Sequence, residues 1–353
     1  MPTLNRESRQ LINKARSLGG RGPAVYLEDH ELLRLCTIVA FDLNQQDLVK
    51  SIAANEDIAG DYYATPLEWF NQSVNDTMAF SDIYFLLKRE IQDFETYFGK
   101  LCELHKRRVK FKRILETQAF SVIEPIAPRC LLEYGLMPTE TLASWLVWRK
   151  WLYDIDNRSA QETGYLFEPI LAAAIGGVPY SAKVSPIKRA DNPGNGRQVD
   201  CLDGKLAYEF KMRVTPAASG QGRFKEELDF ARDCSESFPG YTPILLVLDP
   251  TSSTRLDDLV AEYAKYGGYA YIGNEAWKHI EEKAGVVMGK FVEKYVRTPL
   301  REIDRNDSSL LPIQIMTTDN EIAIRLGSQS LSISRSGTKV DYENSQASNL
   351  VDE

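Results

Sequence analysis

Hydrophobic positions change their spacing once along this chain of 353 residues. From Glu28 to about Lys150, apolar residues recur three and four positions apart, which is the spacing of helices that bury one face. The clearest runs are Leu32, Leu33, Leu35, Ile38 and Val39, and then Ile83, Leu86, Leu87, Ile91, Phe94 and Phe98. The pattern predicts a mainly helical N-terminal region over residues 1–156, including one long helix from Ser81 to Glu116.

After Asp156 the pattern becomes mixed. Tyr165 to Ile175 is typical of a short helix, and Val199–Leu202 and Leu206–Met212 are typical of two strands joined by a tight turn at Asp203-Gly204. Helix and strand signals then alternate through Phe224–Cys234, Ile244–Leu248, Leu256–Tyr266, Tyr269–Ile272 and Glu275–Tyr295. Residues 157–305 are therefore expected to form an α/β (α+β) core, a mixed β-sheet flanked by helices.

The last part of the chain, residues 306–353, is expected to be a small β segment followed by a polar tail. Short antiparallel strands are predicted at Ile313–Met316, Ile322–Leu326 and Leu331–Ser334. From Gly337 onward the chain is polar, as is common at frayed termini.

The predicted hairpin is amphipathic in an unusual way. If Asp203-Gly204 is the turn, alternation along the strands gives one apolar face and one face that carries Asp200, Ala207, Glu209 and Lys211. Asp200 and Glu209 are then diagonal neighbours, close enough to share a hard cation such as Mg²⁺. The alternative is a solvated face on which the same charges form a structural ion-pair cluster.

Two carboxylates and an amine on one face indicate metal-assisted hydrolysis. A metal can lower the pKa of an attacking water and offset the charge that builds on a phosphate. Lys211 would lie beside that water, either to orient it or to help deprotonate it.

The segment VDCLDGKLAYEFK, with Asp200, Glu209 and Lys211, resembles the catalytic signature of the PD-(D/E)xK nuclease superfamily, whose best-known members are type II restriction endonucleases. The order of elements from about residue 160 to 275 also resembles that family's core of helix, three strands, helix and strand. Glu168, in GYLFEPIL, resembles the glutamate that many members carry on the first core helix, although Pro169 leaves the start of this helix undefined. Val199 stands where the motif has proline.

This resemblance implies a specific set of roles. Asp200 and Glu209 would bind Mg²⁺ together with the backbone carbonyl of Phe210, Lys211 would serve the water, and Glu168 would assist as a further acid.

The formal net charge is −8, which argues against a protein that coats nucleic acid through general basicity but permits local basic clefts. Residues 183–232 are locally positive, with ten basic side chains against seven acidic ones. The candidate DNA contacts in this segment are Lys188, Arg189, Arg197, Arg213 and Arg223. An ordinary exposed loop is the alternative for the glycine-rich stretch at 192–196.

Two further features lie in the N-terminal region. Residues 100–117 carry seven basic and two acidic side chains, which predicts either a grip on DNA phosphates or a solvated helix face. Trp145, Trp148 and Trp151 recur every three residues, which predicts core packing or a dimer contact.

The remaining composition restricts the cellular setting. Five well-separated cysteines without a CxxC pair favour a reducing compartment, and no run of about 18 apolar residues is present to span a bilayer. The expectation is a cytoplasmic protein.

Together these observations favour a Mg²⁺-dependent endonuclease that acts on double-stranded DNA, most plainly a type II restriction enzyme. Because one hairpin supplies one active site and a duplex has two strands, a homodimer is expected. Two alternatives remain open: a repair or structure-selective nuclease of the same superfamily, and a non-catalytic DNA-binding protein whose acidic pair is structural.

Overall fold

The structure is a computed structural model that describes residues 6–20, 22–50, 61–72, 79–212, 220–250, 252–306 and 310–335. Its chain divides into two compact units, one formed by Met1–Thr163 with Asn306–Glu353 and the other by Gly164–Arg305. We call them the helical unit and the sheet unit. No helix within the described ranges is long and apolar enough to cross a membrane.

The helical unit is built from α-helices, as its apolar spacing predicts. They are α1 (Arg6–Arg16), α2 (Asp29–Asp42), α3 (Leu67–Phe70), α4 (Phe80–Glu90), α5 (Phe94–Thr117) and the first part of α6 (Thr139–Ile175), with two short strands, β1 (Ser17–Leu18) and β2 (Val25–Tyr26). Single 3₁₀ turns lie at Gln46–Val49 and Ala127–Leu132. Ten of the fourteen residues of α2 are buried, so this helix forms the centre of the unit.

The single long helix predicted from Ser81 to Glu116 is wrong in one respect, because the chain breaks between α4 and α5. Ile91 is extended and Asp93 adopts a left-handed backbone conformation with φ of 57°. A short polar side chain such as aspartate tolerates this conformation better than most residues do. The apolar spacing continues across the break, which is why the pattern did not reveal it.

The sheet unit begins in the last part of α6 and holds a five-stranded sheet. Its elements are β3 (Val178–Tyr180), β4 (Lys188–Arg189), β5 (Asn192–Gly196), β6 (Val199–Asp203), β7 (Leu206–Lys211), α7 (Gly220–Glu236), β8 (Thr242–Val247), α8 (Thr254–Lys265), β9 (Tyr269–Ile272), α9 (Asn274–Lys283), α10 (Val286–Val292) and α11 (Thr298–Arg305). The strand order is β3-β6-β7-β8-β9, with β4 and β5 forming a separate hairpin. The predicted α/β class is confirmed.

The sheet is mixed, and its central strands are the most deeply buried. β3, β6 and β7 pair antiparallel, whereas β7, β8 and β9 pair parallel through the crossover helices α7 and α8. Five of the six residues of β8 are buried, as the continuous apolar run predicts. The predicted helix Glu275–Tyr295 is instead divided into α9 and α10, with a π-helical turn at Glu293–Arg297.

The chain ends in a three-stranded antiparallel sheet of β10 (Ile313–Thr317), β11 (Glu321–Leu326) and β12 (Gln329–Ser334), which belongs to the helical unit. Trp151 is fully buried against Ile322 and Ile333 of this sheet, and Trp148 packs beside them. Trp145 is 42% exposed. Core packing, one of the two roles expected for the tryptophans, is therefore confirmed for Trp148 and Trp151 but not for Trp145.

The basic run on α5 is used inside the helical unit. Lys106 is buried and its Nζ donates to the backbone carbonyls of Lys14 and Ser17 at 2.6 and 3.0 Å. Arg107 and Lys110 both pair with Glu162, each at 2.7 Å. Neither of the two expected roles, a grip on DNA phosphates or a solvated helix face, fits Lys106, Arg107 and Lys110. These side chains pair with groups of the protein itself.

The hairpin of β4 and β5 is fastened to α7 by one buried arginine. Arg197 has an 8% exposed side chain, and its Nη1 lies 2.8 Å from Glu226 and 3.3 Å from Asp233. Its Nη2 also donates to the backbone carbonyl of Glu226. Asp233 is buried, accepts a hydrogen bond from the amide of Ala190 at 2.7 Å, and has a pKa raised chiefly by burial.

We predict that Arg197→Met destabilises the protein by about 3–5 kcal/mol, because it leaves the buried Asp233 without its cation. The matched control is Arg189→Met, since Arg189 pairs with the same Glu226 but is 38% exposed and should cost about 1 kcal/mol or less. Urea unfolding followed by fluorescence measures both. Equal losses in the two variants would contradict the buried role of Arg197.

Candidate active site

The β6–β7 hairpin turns one residue later than the sequence suggested. Asp203 pairs with Leu206, Leu202 with Ala207 and Cys201 with Tyr208, so Gly204 and Lys205 form the turn. Gly204 has a φ of 59°, which suits the first central position of a type II′ turn and which glycine adopts without strain. The predicted Asp203-Gly204 turn and its register are therefore wrong.

The corrected register leaves the predicted faces unchanged, because moving a two-residue turn by one position shifts each pair by two. Asp200, Glu209 and Lys211 still share one face. The last pair of the β6–β7 ladder is Cys201 with Tyr208, and Asp200 and Glu209 are the next residues beyond that pair on their two strands. The charge of Glu209 is close enough to raise the pKa of Asp200.

Asp200 is the most buried acid of the site. Its side chain lies in the sheet unit with 8% exposure, and its Oδ2 accepts a hydrogen bond from the Phe210 amide at 2.8 Å. Burial, followed by the charges of Glu209 and Glu168, raises the pKa of Asp200 well above its usual range. The site therefore holds more negative charge than its surroundings compensate.

Lys211 lies between two carboxylates. Its Nζ is 2.8 Å from Oε1 of Glu209 and 3.5 Å from Oε1 of Glu227. Burial by itself would lower the pKa of Lys211, but the charges of Glu209 and Glu227 outweigh it and the pKa is raised. Lys211 is thus held as a cation next to the acidic pair.

Glu227 and Arg255 are site residues that the sequence did not reveal. Glu227 lies on α7, and Arg255 lies in the first turn of α8 with its Nη2 2.8 Å from Oε2 of Glu227. Their place beside Lys211 follows from the packing of α7 and α8 against the sheet. No spacing within the sequence carries that information.

Glu168 lies near the C-terminal end of α6, in the sheet unit. The helix continues through Pro169, so the proline does not define a helix start. Glu168 is close enough for its charge to raise the pKa of Asp200. The structure therefore brings all four predicted catalytic side chains into one electrostatic group.

The donor set fits a hard divalent cation. Among the residues that the structure describes, no group of three or more His, Cys, Asp or Glu side chains is arranged to hold a metal ion. The candidate centre instead consists of two carboxylates, from Asp200 and Glu209, and the carbonyl of Phe210, all of which are oxygen donors. Burial, and then the charges of Glu209 and Glu168, raise the pKa of Asp200, and a bound cation would offset this repulsion.

Comparison with known proteins agrees with this chemistry. A family model described as ApaLI-like restriction endonuclease matches residues 67–297. The type II restriction enzyme ApaLI of Acetobacter pasteurianus is 46% identical over 329 residues, which cover 85% of this chain and 86% of that protein.

The chain belongs to the ApaLI-like restriction endonuclease family. The ApaLI-like chain is thus a DNA-cleaving type II restriction endonuclease, and the prediction drawn from the hairpin motif is confirmed at the level of family and activity. Restriction endonucleases typically use a divalent metal. The family model extends well beyond the motif, since it also matches residues 67–163 of the helical unit.

The predicted DNA contacts of this ApaLI-like enzyme are placed in different settings. Lys188 is exposed on the β4–β5 hairpin, and Arg189 is partly exposed beside Glu226. Arg197 is buried and holds that hairpin to α7, which gives it an internal role. Arg213 and the side chain of Arg223 lie outside the described residues.

We predict that Asp200→Asn makes the metal-free enzyme more stable at pH 7–8. The pKa of Asp200 is raised in the folded state, so stability is lost as the pH rises from the unfolded pKa of about 4 toward the folded one. The neutral amide removes that loss, and the gain should vanish near pH 4. Thermal melting at a series of pH values measures it.

The matched control is Asp203→Asn on the same hairpin. Asp203 is 35% exposed and pairs with Lys283 at 2.9 Å, so its loss should lower stability slightly. Addition of a divalent cation should stabilise the wild type and leave Asp200→Asn unchanged. A metal-free Asp200→Asn variant that melts below the wild type at pH 8 would contradict the electrostatic account.

Proposed function

We propose that this restriction endonuclease hydrolyses phosphodiester bonds of double-stranded DNA with Mg²⁺ as its cofactor. The observation that carries the proposal is the shared face of β6 and β7, where Asp200 and Glu209 meet Lys211. A metal centre describes this site better than a structural ion-pair cluster does. The acidic side chains outnumber the cationic ones, and burial raises the pKa of Asp200.

In this proposal Asp200, Glu209 and the carbonyl of Phe210 hold the cation. A bound Mg²⁺ supplies a Lewis acid that lowers the pKa of a water and offsets negative charge on the phosphate. Hard oxygen donors are the ligands this ion prefers. The hydrogen bond from the Phe210 amide to Asp200 fixes the orientation of that carboxylate.

Lys211 would orient the attacking water and stabilise the charge that develops on the phosphate. Its raised pKa, which follows from the acids around it, favours this role for the metal-free enzyme over that of a neutral base. Glu168 would contribute a further negative charge on the α6 side of the site. Both roles depend on geometry that the hairpin and α6 provide.

The surface that we propose for DNA includes the β4–β5 hairpin, with Lys188 and Arg189 as phosphate contacts. Their charges lie in the sheet unit, as the active site does. Arg213 and Arg223 stay candidates from the sequence. We also propose a cytoplasmic location, since all five cysteines are free thiols and DNA is the substrate.

A homodimer is the proposed assembly, because each chain supplies one catalytic hairpin and a duplex offers two strands. The Trp145–Trp151 segment and the helical stretch from Ser81 to Glu116 stay candidates for the dimer surface, since the core packing of Trp148 and Trp151 does not exclude a contact there. The helical unit also exposes a cluster of apolar side chains within and just after the 3₁₀ turn Ala127–Leu132. They are Leu131, Leu132, Tyr134 and Leu136, which are 78%, 91%, 69% and 75% exposed. We propose this cluster as the contact with a second copy.

For the activity, we predict that the purified enzyme with Mg²⁺ cuts plasmid DNA into discrete fragments. Asp200→Ala, Glu209→Ala and Lys211→Ala should each lower the cleavage rate by at least about 10²- to 10³-fold, because the first two remove a ligand of the cation and the third removes the amine that orients the water. Lys205→Ala, an exposed lysine in the turn of the same hairpin, is the control and should cleave normally.

Gel analysis of fragments and circular dichroism of each variant provide the measurements. Normal cleavage in any two of the three variants would refute the site assignment. Cleavage confined to junctions, flaps or damaged DNA would favour the repair nuclease. Absence of metal binding by calorimetry, with unchanged DNA affinity in Asp200→Asn, would favour the non-catalytic reading.

For the assembly, we predict that sedimentation at micromolar concentration gives about twice the chain mass of 40.0 kDa. Leu132→Ser should weaken the dimer by about 10- to 100-fold, because burial of a leucine at an interface contributes about 1.5–3 kcal/mol. Phe238→Ser is the control, since Phe238 is 96% exposed and belongs to the sheet unit, whereas the cluster belongs to the helical unit. A dimer that weakens in the control alone would place the contact elsewhere.

A further inference from the structure

Lys211 forms ion pairs with two carboxylates that come from different elements. Only one of these carboxylates, that of Glu209, belongs to the proposed metal site. Glu209 precedes Lys211 by two residues on β7 and lies 2.8 Å from its Nζ. Glu227 approaches from α7, with 3.5 Å between its Oε1 and the same Nζ. The amine is therefore held from the strand and from the helix.

These two contacts have different fates in the proposed reaction. Glu209 is assigned to the cation, so its oxygens are no longer fully available to Lys211 once a metal is bound. A lysine side chain has four rotatable bonds and loses about 2 kcal/mol of rotamer freedom when it is fixed. A second anchor outside the metal site would keep Lys211 in place at that stage.

Glu227 is itself fixed by Arg255. The Oε2 atom of Glu227 lies 2.8 Å from Nη2 of Arg255. The guanidinium of Arg255 lies over the ring of Phe224, with 4.7 Å between Cζ and the ring centroid. Phe224 in turn packs on the hydrophobic core of the sheet unit. Glu227 and Arg255 are 20% and 15% exposed, so the pair is largely shielded from solvent.

We propose that Glu227, clamped by Arg255, is a positioning residue that holds the Lys211 amine at the reacting phosphate. The proposal rests on the catalytic role of Lys211 given above. It assigns no metal contact and no proton transfer to Glu227. It also gives α7 and α8 a direct part in the chemistry, since they carry the two residues of the clamp.

The decisive variant is Glu227→Gln, which keeps the shape of the side chain and removes its charge. Under single-turnover conditions with saturating Mg²⁺, we expect the cleavage rate to fall by about 10- to 100-fold, as is typical when a supporting contact of a catalytic group is lost. The affinities for DNA and for Mg²⁺ should stay within about twofold of the wild type, because Glu227 contacts neither. Fluorescence anisotropy and calorimetry measure these affinities.

The matched control is Glu262→Gln on α8. Glu262 is a glutamate of similar exposure, 26%, that pairs with Lys265 at 2.8 Å. It should cleave at the wild-type rate. Arg255→Gln is the second variant, because it leaves Glu227 charged and removes only the clamp. It should lower the rate in the same way, by a smaller factor, and provides the test if Glu227→Gln does not fold.

The outcomes are distinguishable. A wild-type rate in both Glu227→Gln and Arg255→Gln overturns this inference, and so does a Glu227→Gln variant with weakened Mg²⁺ binding, which would make Glu227 a metal ligand. If Lys211→Ala cleaves normally, the proposed active site fails first. If Lys211→Ala is impaired and Glu227→Gln is not, the active site stands and only the clamp is wrong.

Discussion

Repulsion between carboxylates at the β6–β7 hairpin is the constraint on which the site depends. Asp200 is buried within reach of the charge of Glu209, and Glu168 adds its charge from α6. Lys211 and Arg255 bring positive charge to this group, yet the pKa of Asp200 stays raised. A folded chain keeps such an arrangement at a cost in stability, which is the usual condition of a site prepared for a charged ligand.

Two other sets of buried charges in the described part of the chain have close partners. Arg197 meets Asp233 and Glu226 beneath the β4–β5 hairpin, and Lys106 donates to two backbone carbonyls of the helical unit. These contacts stabilise the fold and leave no evident place for a ligand. The contrast explains why a count of basic residues along the chain is a poor guide to the DNA surface, since burial decides which cations face outward.

The residues of the site come from elements that lie at different distances along the sequence from the β6–β7 hairpin. The hairpin supplies Asp200 and Glu209, the neighbouring helix α6 supplies Glu168, and the crossover helix α7 supplies Glu227. The parallel pairing of β7 with β8 brings the start of α8 near the end of β7, where Arg255 meets Glu227. Membership of the ApaLI-like family extends over both units, so the surrounding helices belong to the same enzyme.

The sequence by itself determined the class of fold, the faces of the hairpin and the identities of its three central residues. Alternation along a strand has a period of two, so the error in the turn left Asp200, Glu209 and Lys211 on one face. The tertiary structure decided the rest: the break between α4 and α5, the internal role of Arg197, and the clamp on Lys211. The role of Arg197 and the clamp depend on contacts between elements that are distant in the chain, of which local spacing carries no record, and the break lies at a point where the apolar spacing continues without change.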